Sequence, residues 1–153
     1  MQTLELKIPP PIATVLVGIA MWLAARQLPA LPVASSFRFG MAGLCSVIAL
    51  LFAVSAFRSF RKARTTISPV NPQNASSIVT GGVYRYTRNP MYVGLTALLI
   101  GWAAILAAPW TLLGPFGFAL FTDRFQIVPE ERILSSKFGR AYDDYRKQVR
   151  RWL

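Results

Sequence analysis

The chain has 153 residues, of which 54% are hydrophobic, and its seventeen Lys and Arg against six Asp and Glu give a formal net charge of +11. Such a length bounds it to one domain. It has one cysteine and no histidine, which excludes an intrachain disulfide and Ser-His-Asp or Cys-His catalysis and leaves no basis for a zinc site, so no metal is expected.

Three stretches are long and almost free of charge. The first, Ile12 to Leu28, lies between Pro11 and Pro29 and carries only Arg26 near its end. The second, Phe39 to Phe57, and the third, Met91 to Ala108, carry no charge. Each is close to the ~20 residues that cross a ~30 Å hydrocarbon core. Three helices apolar on all sides have no place in so small a soluble domain. In the first segment Glu5 opposes Lys7 and the apolar run is long, which argues against a cleavable signal sequence. Cys45, mid-way along the second, reads as a small packing residue.

Arg58 to Arg64 (RSFRKAR) prolongs the second helix into the headgroup layer. From Thr65 to Thr80 the chain reads TTISPVNPQNASSIVT, and Pro69 and Pro72 forbid a regular helix there. Asn74-Ala75-Ser76 matches a glycosylation acceptor, but the expected topology places it in the cytosol, so no glycan is expected. Gly81-Gly82 marks a turn, and Asn89-Pro90 sets Pro90 at the first turn of the third helix, where its missing donor costs nothing. The turn Ala107-Ala108-Pro109-Trp110 is too short to cross anything, so the third helix and a fourth apolar stretch, interrupted by Gly114, Pro115 and Gly117, form a hairpin. After Pro129, Leu134, Phe138, Ala141, Tyr145, Val149 and Trp152 recur at spacings of three and four, the pattern of one amphipathic helix with Trp152 as an interfacial anchor.

Fourteen of the seventeen basic residues fall between the second and third spans or after the last. The positive-inside rule places both segments, and with them both termini, in the cytosol. Anionic headgroups then supply the counter-charge, and nucleic acid is not an expected partner. The expected fold is an all-α integral-membrane domain over 1–153. It has about four membrane helices (11–29, 39–57, 91–108 and 110–125), a cytosolic loop over 58–90 and a C-terminal cytosolic amphipathic helix over 130–150.

Taken singly, Glu130-Glu131 reads as a solvated pair in a first helical turn. Tyr84, Tyr86 and Tyr92 read as an interfacial aromatic belt, and Arg85 and Arg88 as inside-positive charge. Together they say more. The hairpin returns the chain near Phe121 to Phe125, which brings Arg88, Asn89 and Tyr92 close to Glu130. An amino-acid-like zwitterion could be clamped there, its carboxylate by Arg and backbone N–H groups and its ammonium by Glu.

The segments SSIVTGGVYRYTRNPMYVG and PEERILSSKFGRAYDDYRKQVRRW resemble the core of the isoprenylcysteine carboxyl methyltransferase family, membrane enzymes related to the phospholipid methyltransferases. That signature is Arg-His-Pro-x-Tyr, a Glu-Glu pair, then Phe-Gly-x-x-Tyr-x-x-Tyr. Here it reads Arg88-Asn89-Pro90-Met91-Tyr92, Glu130-Glu131 and Phe138 to Tyr145. The resemblance covers about Thr65 to the C-terminus. It implies a methyltransferase in a prokaryotic cytoplasmic membrane that uses S-adenosyl-L-methionine and a lipophilic or small acceptor. Ser76, Ser77, Ile78, Val79 and Tyr84 resemble the loop over the cofactor. Arg88, Asn89, Pro90 and Tyr92 resemble its helix-start wall, and Glu130 its carboxylate, with Glu131 in support. Arg88, Tyr92 and Glu131 are the expected catalytic groups. Asn89 replaces the motif histidine and cannot titrate. Gln126 replaces an arginine that contacts the acceptor in eukaryotic members, so Gln126 and nearby Arg124 are the expected acceptor-side residues. Two other functions share these features: a nicotinamide-dependent membrane reductase with the related sterol-reductase core, and a non-catalytic membrane scaffold.

Overall fold

Pro10 and Pro90 each stand in the first turn of a helix, and small residues let helices approach one another. The computed structural model describes residues 5–27, 29–63 and 76–153. The expected irregular stretch around Pro69 and Pro72, and the Asn74 acceptor, lie outside the described residues. Among those described, the secondary structure is entirely helical.

Helix α1 spans Pro10–Ala25, with Pro at its first positions, starting one residue earlier and ending four residues earlier than expected. Helix α2 spans Ser35–Ala63, so the basic run after Phe57 does continue it. Its 29 residues make ~43 Å of helix, more than a ~30 Å hydrocarbon core needs. It is the one described helix long and apolar enough to cross a membrane by itself; α1 and α3 (Pro90–Leu106) are apolar but shorter, at 16 and 17 residues. At the start of α2, the Arg38 guanidinium donates to the Ile105 carbonyl in the last turn of α3, which has lost its in-helix partner.

Helices α2 and α3 pack closely because glycine faces small side chains. A Cβ on Gly101 would stand 2.9 Å from Cys45 Cβ, and one on Gly94 3.2 Å from the Ala49 carbonyl. Ala42, Cys45, Ala49 and Ala56 are buried on the facing side of α2, the packing expected when helices approach with small residues between them. Cys45 is a buried free thiol in that seam.

Asn89 precedes α3 and Pro90 lies in its first turn. Helix α3 ends on Ala107 at φ 52°, and a 3₁₀ turn over Pro109–Leu112 leads into α4, Leu113–Thr122. The two helices pack against each other, which gives the expected hairpin. Where α1, α3 and α4 meet, Ala13, Met21, Leu99, Ala103 and Phe118 form the core.

The path after α4 differs from the expectation. A π-helical turn over Asp123–Ile127 runs directly into α5, Val128–Phe138. Pro129 therefore lies inside a continuous rod instead of opening a new helix. Lacking an N–H, it cannot bond the Phe125 carbonyl one turn back. That carbonyl instead accepts from the Leu6 N–H at 3.1 Å, and the orphaned acceptor is satisfied from the N-terminal segment. The expected single helix over 130–150 is also divided. Gly139 at φ 55° separates α5 from α6, Arg140–Gln148. The break shifts the apolar face: Tyr142 and Tyr145 are buried, while Ala141 is exposed.

Candidate functional site

A cavity of about 420 Å³ opens at the N-terminal end of α3, within the size range of small-molecule and cofactor sites. Ala49, Ala53, Leu95 and Leu134 give it apolar walls, and Arg88, Tyr92 and Glu130 are among its polar lining groups.

Tyr92, one turn into α3, donates its hydroxyl to Glu130 Oε1 at 2.7 Å. Glu130 stands in the first turn of α5. Burial pushes its carboxyl up to about 8; the Tyr92 hydrogen bond opposes this and neighbouring Glu131 adds to it. A carboxylate enclosed among apolar walls lacks the water that would stabilise its charge. The site has the wrong balance for an empty anion and the right one for a cationic ligand.

Glu131 has a different environment. Arg88 Nη2 donates to its Oε1 at 2.7 Å, and Arg151 donates to both its oxygens, at 3.2 Å from Nε and 2.7 Å from Nη2. Arg146 lies 3.7 Å from Oε2. The Glu131 and Arg88 side chains are only 6% and 9% exposed. With both oxygens held by guanidinium donors, Glu131 is suited to fixing Arg88 in place. Arg88 also donates to the Arg146 carbonyl at 2.8 Å, yet its buried Nε has no partner. That leaves a donor for an anionic group.

The 3₁₀ turn Gly82–Arg85 carries Tyr84 into the cavity wall. It begins at Gly82 with φ +65°, where a Cβ would meet Ser59 Oγ at 2.7 Å. Phe60 stacks edge-on to the Tyr84 ring at 5.5 Å, and Tyr145 donates its hydroxyl to the Tyr84 carbonyl at 2.7 Å. Burial raises the hydroxyl pKa values of Tyr84, Tyr142 and Tyr145 well above the phenol range, so they act as neutral donors and ring surfaces. Ser77 anchors its loop by donating to the Ala63 carbonyl at the end of α2, at 3.1 Å.

Of the residues singled out from sequence, Ser77, Ile78, Val79, Tyr84, Arg88, Asn89, Pro90, Tyr92, Glu130 and Glu131 line this one cavity. Ser76 is exposed and is not part of the lining. Neither are Arg124 and Gln126. Gln126 is fully buried in the π turn and donates to the Ile8 carbonyl at 2.8 Å. Arg124 is half exposed and pairs with Glu5 at 3.6 Å. Both tie the N-terminal segment to the rod. Sequence reasoning missed Arg151 as a partner of the site; it is one of eight basic residues after the last apolar stretch, with nothing local to mark it. Tyr142 was visible in the Phe-Gly-x-x-Tyr-x-x-Tyr pattern, but the assumed unbroken helix put Ala141 on the inner face instead.

A family model described as phospholipid methyltransferase matches residues 37–141. The chain is 29% identical over 134 residues to a protein-S-isoprenylcysteine O-methyltransferase from Dictyostelium discoideum, covering 86% of this chain and 54% of the relative. It is 34% identical over 106 residues to a probable protein-S-isoprenylcysteine O-methyltransferase from Oryza sativa subsp. indica, covering 67% of this chain and 52% of the relative. A shorter Haemophilus influenzae protein, whose name states no activity, is 43% identical over 63 residues, covering 41% of this chain and 100% of the relative. The chain thus spans about half the length of these two named relatives. No solved structure matches it.

Proposed function

The chain belongs to the phospholipid methyltransferase family, with relatives named as isoprenylcysteine methyltransferases, and from that membership we propose that it is an integral-membrane methyltransferase using S-adenosyl-L-methionine. In this reading it crosses the membrane four times, with the α3 N-terminus and α5–α6 on the cytosolic side, and transfers a methyl group to a lipophilic or small acceptor. The observation that carries the reading is the Tyr92–Glu130 pair, 2.7 Å apart, in a largely apolar cavity beside Arg88.

The residues fit the cofactor. Glu130, pushed up to about 8 by burial, gains most from a positively charged ligand. The partnerless Nε of Arg88 supplies a donor for a ligand carboxylate, and Tyr84 and the apolar walls offer surface for a ring. When bound, S-adenosyl-L-methionine supplies a methyl group already activated by its sulfonium. The chain's own task is then binding, alignment and exclusion of water. Tyr92 holds Glu130 by its hydroxyl. Glu131 holds Arg88. A carboxylate or thiolate acceptor needs no base; an amine acceptor would have to lose its proton to Glu130 or to solvent.

The test is methyl transfer from labelled S-adenosyl-L-methionine by the purified protein in vesicles. The acceptor panel holds farnesylcysteine analogues, phosphatidylethanolamine, fatty acids and small thiols. Transfer to at least one acceptor, strongly reduced in Glu130→Gln, supports the proposal. Oxidation of NADPH by the same preparation, with no methyl transfer, would favour the reductase reading.

A further inference from the structure

The segment that follows α6 crosses back over the start of α3 and is bonded to it at every step. The Arg88 N–H donates to the Arg150 carbonyl at 3.0 Å. The Arg151 carbonyl accepts from the Thr87 hydroxyl at 3.2 Å and from the Asn89 side-chain amide at 2.9 Å. Thr87 in turn accepts from the Asn89 backbone N–H at 3.1 Å. Asn89, which stands where the family motif has histidine, thus has its amide committed to this strap. Beyond the backbone, the Arg151 guanidinium spans two elements. It donates to Glu131 on α5 and to both oxygens of Asp123, at the head of the π turn, at 3.1 Å each. The Trp152 indole N–H adds a contact to Asp123 at 3.3 Å.

We propose that Arg151 is a positioning residue for the cavity: by bridging Asp123 and Glu131 it fixes Glu131, and through Glu131 the Arg88 guanidinium at the mouth of α3. The physical reason is charge balance. Glu131 is nearly fully buried, and without Arg151 its Oε2 would keep only Arg146, at 3.7 Å, while Arg88 holds Oε1 at 2.7 Å. A buried carboxylate that loses one of its partners is left undercompensated, and its place is no longer fixed. Arg88 then loses the fixed carboxylate that orients it at the cavity. A planar guanidinium presents a rigid fork of donors to both carboxylates at once, whereas an ammonium is a compact point charge without that fixed geometry. The inference rests on the cofactor reading of the cavity for its effect on binding, and on the fold alone for its effect on the start of α3.

The experiment uses the full chain in detergent with Arg151→Ala, Arg151→Lys and, as a surface-charge control, Arg140→Ala. Two quantities are read: the affinity for S-adenosyl-L-methionine, and ligand-free hydrogen exchange of the amides from Thr87 to Val93. Arg151→Ala should weaken binding at least tenfold and speed exchange at those amides at least tenfold, leaving exchange in the α2–α3 seam around Gly101 unchanged. Millimolar methylguanidine should restore part of the lost affinity, and Arg151→Lys, which keeps the charge but lacks the rigid fork of donors, should fall between. Arg140→Ala should match the wild type. Unchanged exchange in Arg151→Ala overturns the proposal, as does unchanged affinity in a protein that binds the cofactor. A wild type that binds no S-adenosyl-L-methionine, but whose Arg151→Ala variant exchanges faster at the α3 start, overturns the cofactor reading and keeps the positioning role.

Discussion

Cofactor binding should be linked to deprotonation of Glu130. Its carboxyl is pushed up to about 8, chiefly by burial, so at pH 7 the ligand-free protein mostly carries it protonated. A cation that binds only the ionised form then sees its affinity lowered roughly tenfold at pH 7, equivalent to about 1.4 kcal/mol. The sign follows: affinity rises with pH through the raised pKa and falls as pH drops below it. Between pH 6 and pH 7 the gain is about tenfold, between pH 7 and pH 8 about fivefold, and above pH 9 the curve is flat. About 0.9 proton should leave the protein per ligand bound at pH 7. Isothermal titration in buffers of different ionisation enthalpy reads that number directly. The ligand's own ammonium also titrates, so Glu130→Gln serves as the reference for everything not due to Glu130. Superimposable pH profiles for wild type and Glu130→Gln, with equal proton release, would refute the reasoning.

The two adjacent glutamates should separate cleanly. Glu130→Gln should weaken S-adenosyl-L-methionine binding by roughly 1.5–3 kcal/mol, the worth of a charge-assisted contact, with the thermal midpoint preserved. Glu131→Gln should instead lower the midpoint, because it leaves the buried Arg88 guanidinium uncompensated; the reverse pattern in binding and melting data would exchange their roles. Gly101→Ala places a Cβ 2.9 Å from Cys45 Cβ and should cost about 1–3 kcal/mol by forcing α2 and α3 apart, read as a lower unfolding midpoint in detergent. Reporter fusions at Leu31 and Leu153 should report opposite sides of the membrane; the same side for both would contradict four crossings.

Much of the fold was legible where a single residue imposes a local constraint. Pro90 can only open α3, the four residues from Ala107 to Trp110 can only turn, and the basic run after Phe57 extends the helix that precedes it. What was not legible depended on partners distant in sequence. Pro129 looks like a helix start, and becomes an interior residue because a π turn precedes it and the Leu6 N–H satisfies the Phe125 carbonyl. Gly139 looks tolerable inside an amphipathic helix, and its positive φ instead brings Tyr142 to the cavity beside Tyr145, in place of Ala141. The cluster of Arg88, Tyr92 and Glu130 could be foreseen because a hairpin of known length returns the chain to the same end. Gln126 could not be placed the same way: one residue along a helix turns the side chain by ~100°, and here it faces Ile8. Arg151 lay outside any pattern, since its role comes from two carboxylates 20 and 28 residues upstream.

The central claim is that the Tyr92–Glu130 cavity holds S-adenosyl-L-methionine, and the most direct test is calorimetric titration of the purified protein with that compound and, separately, with NADPH. Saturable one-site binding of S-adenosyl-L-methionine, at least tenfold weaker in Glu130→Gln and without matching binding of NADPH, is the predicted result. Absence of S-adenosyl-L-methionine binding, or the same affinity in wild type and Glu130→Gln, would contradict the account.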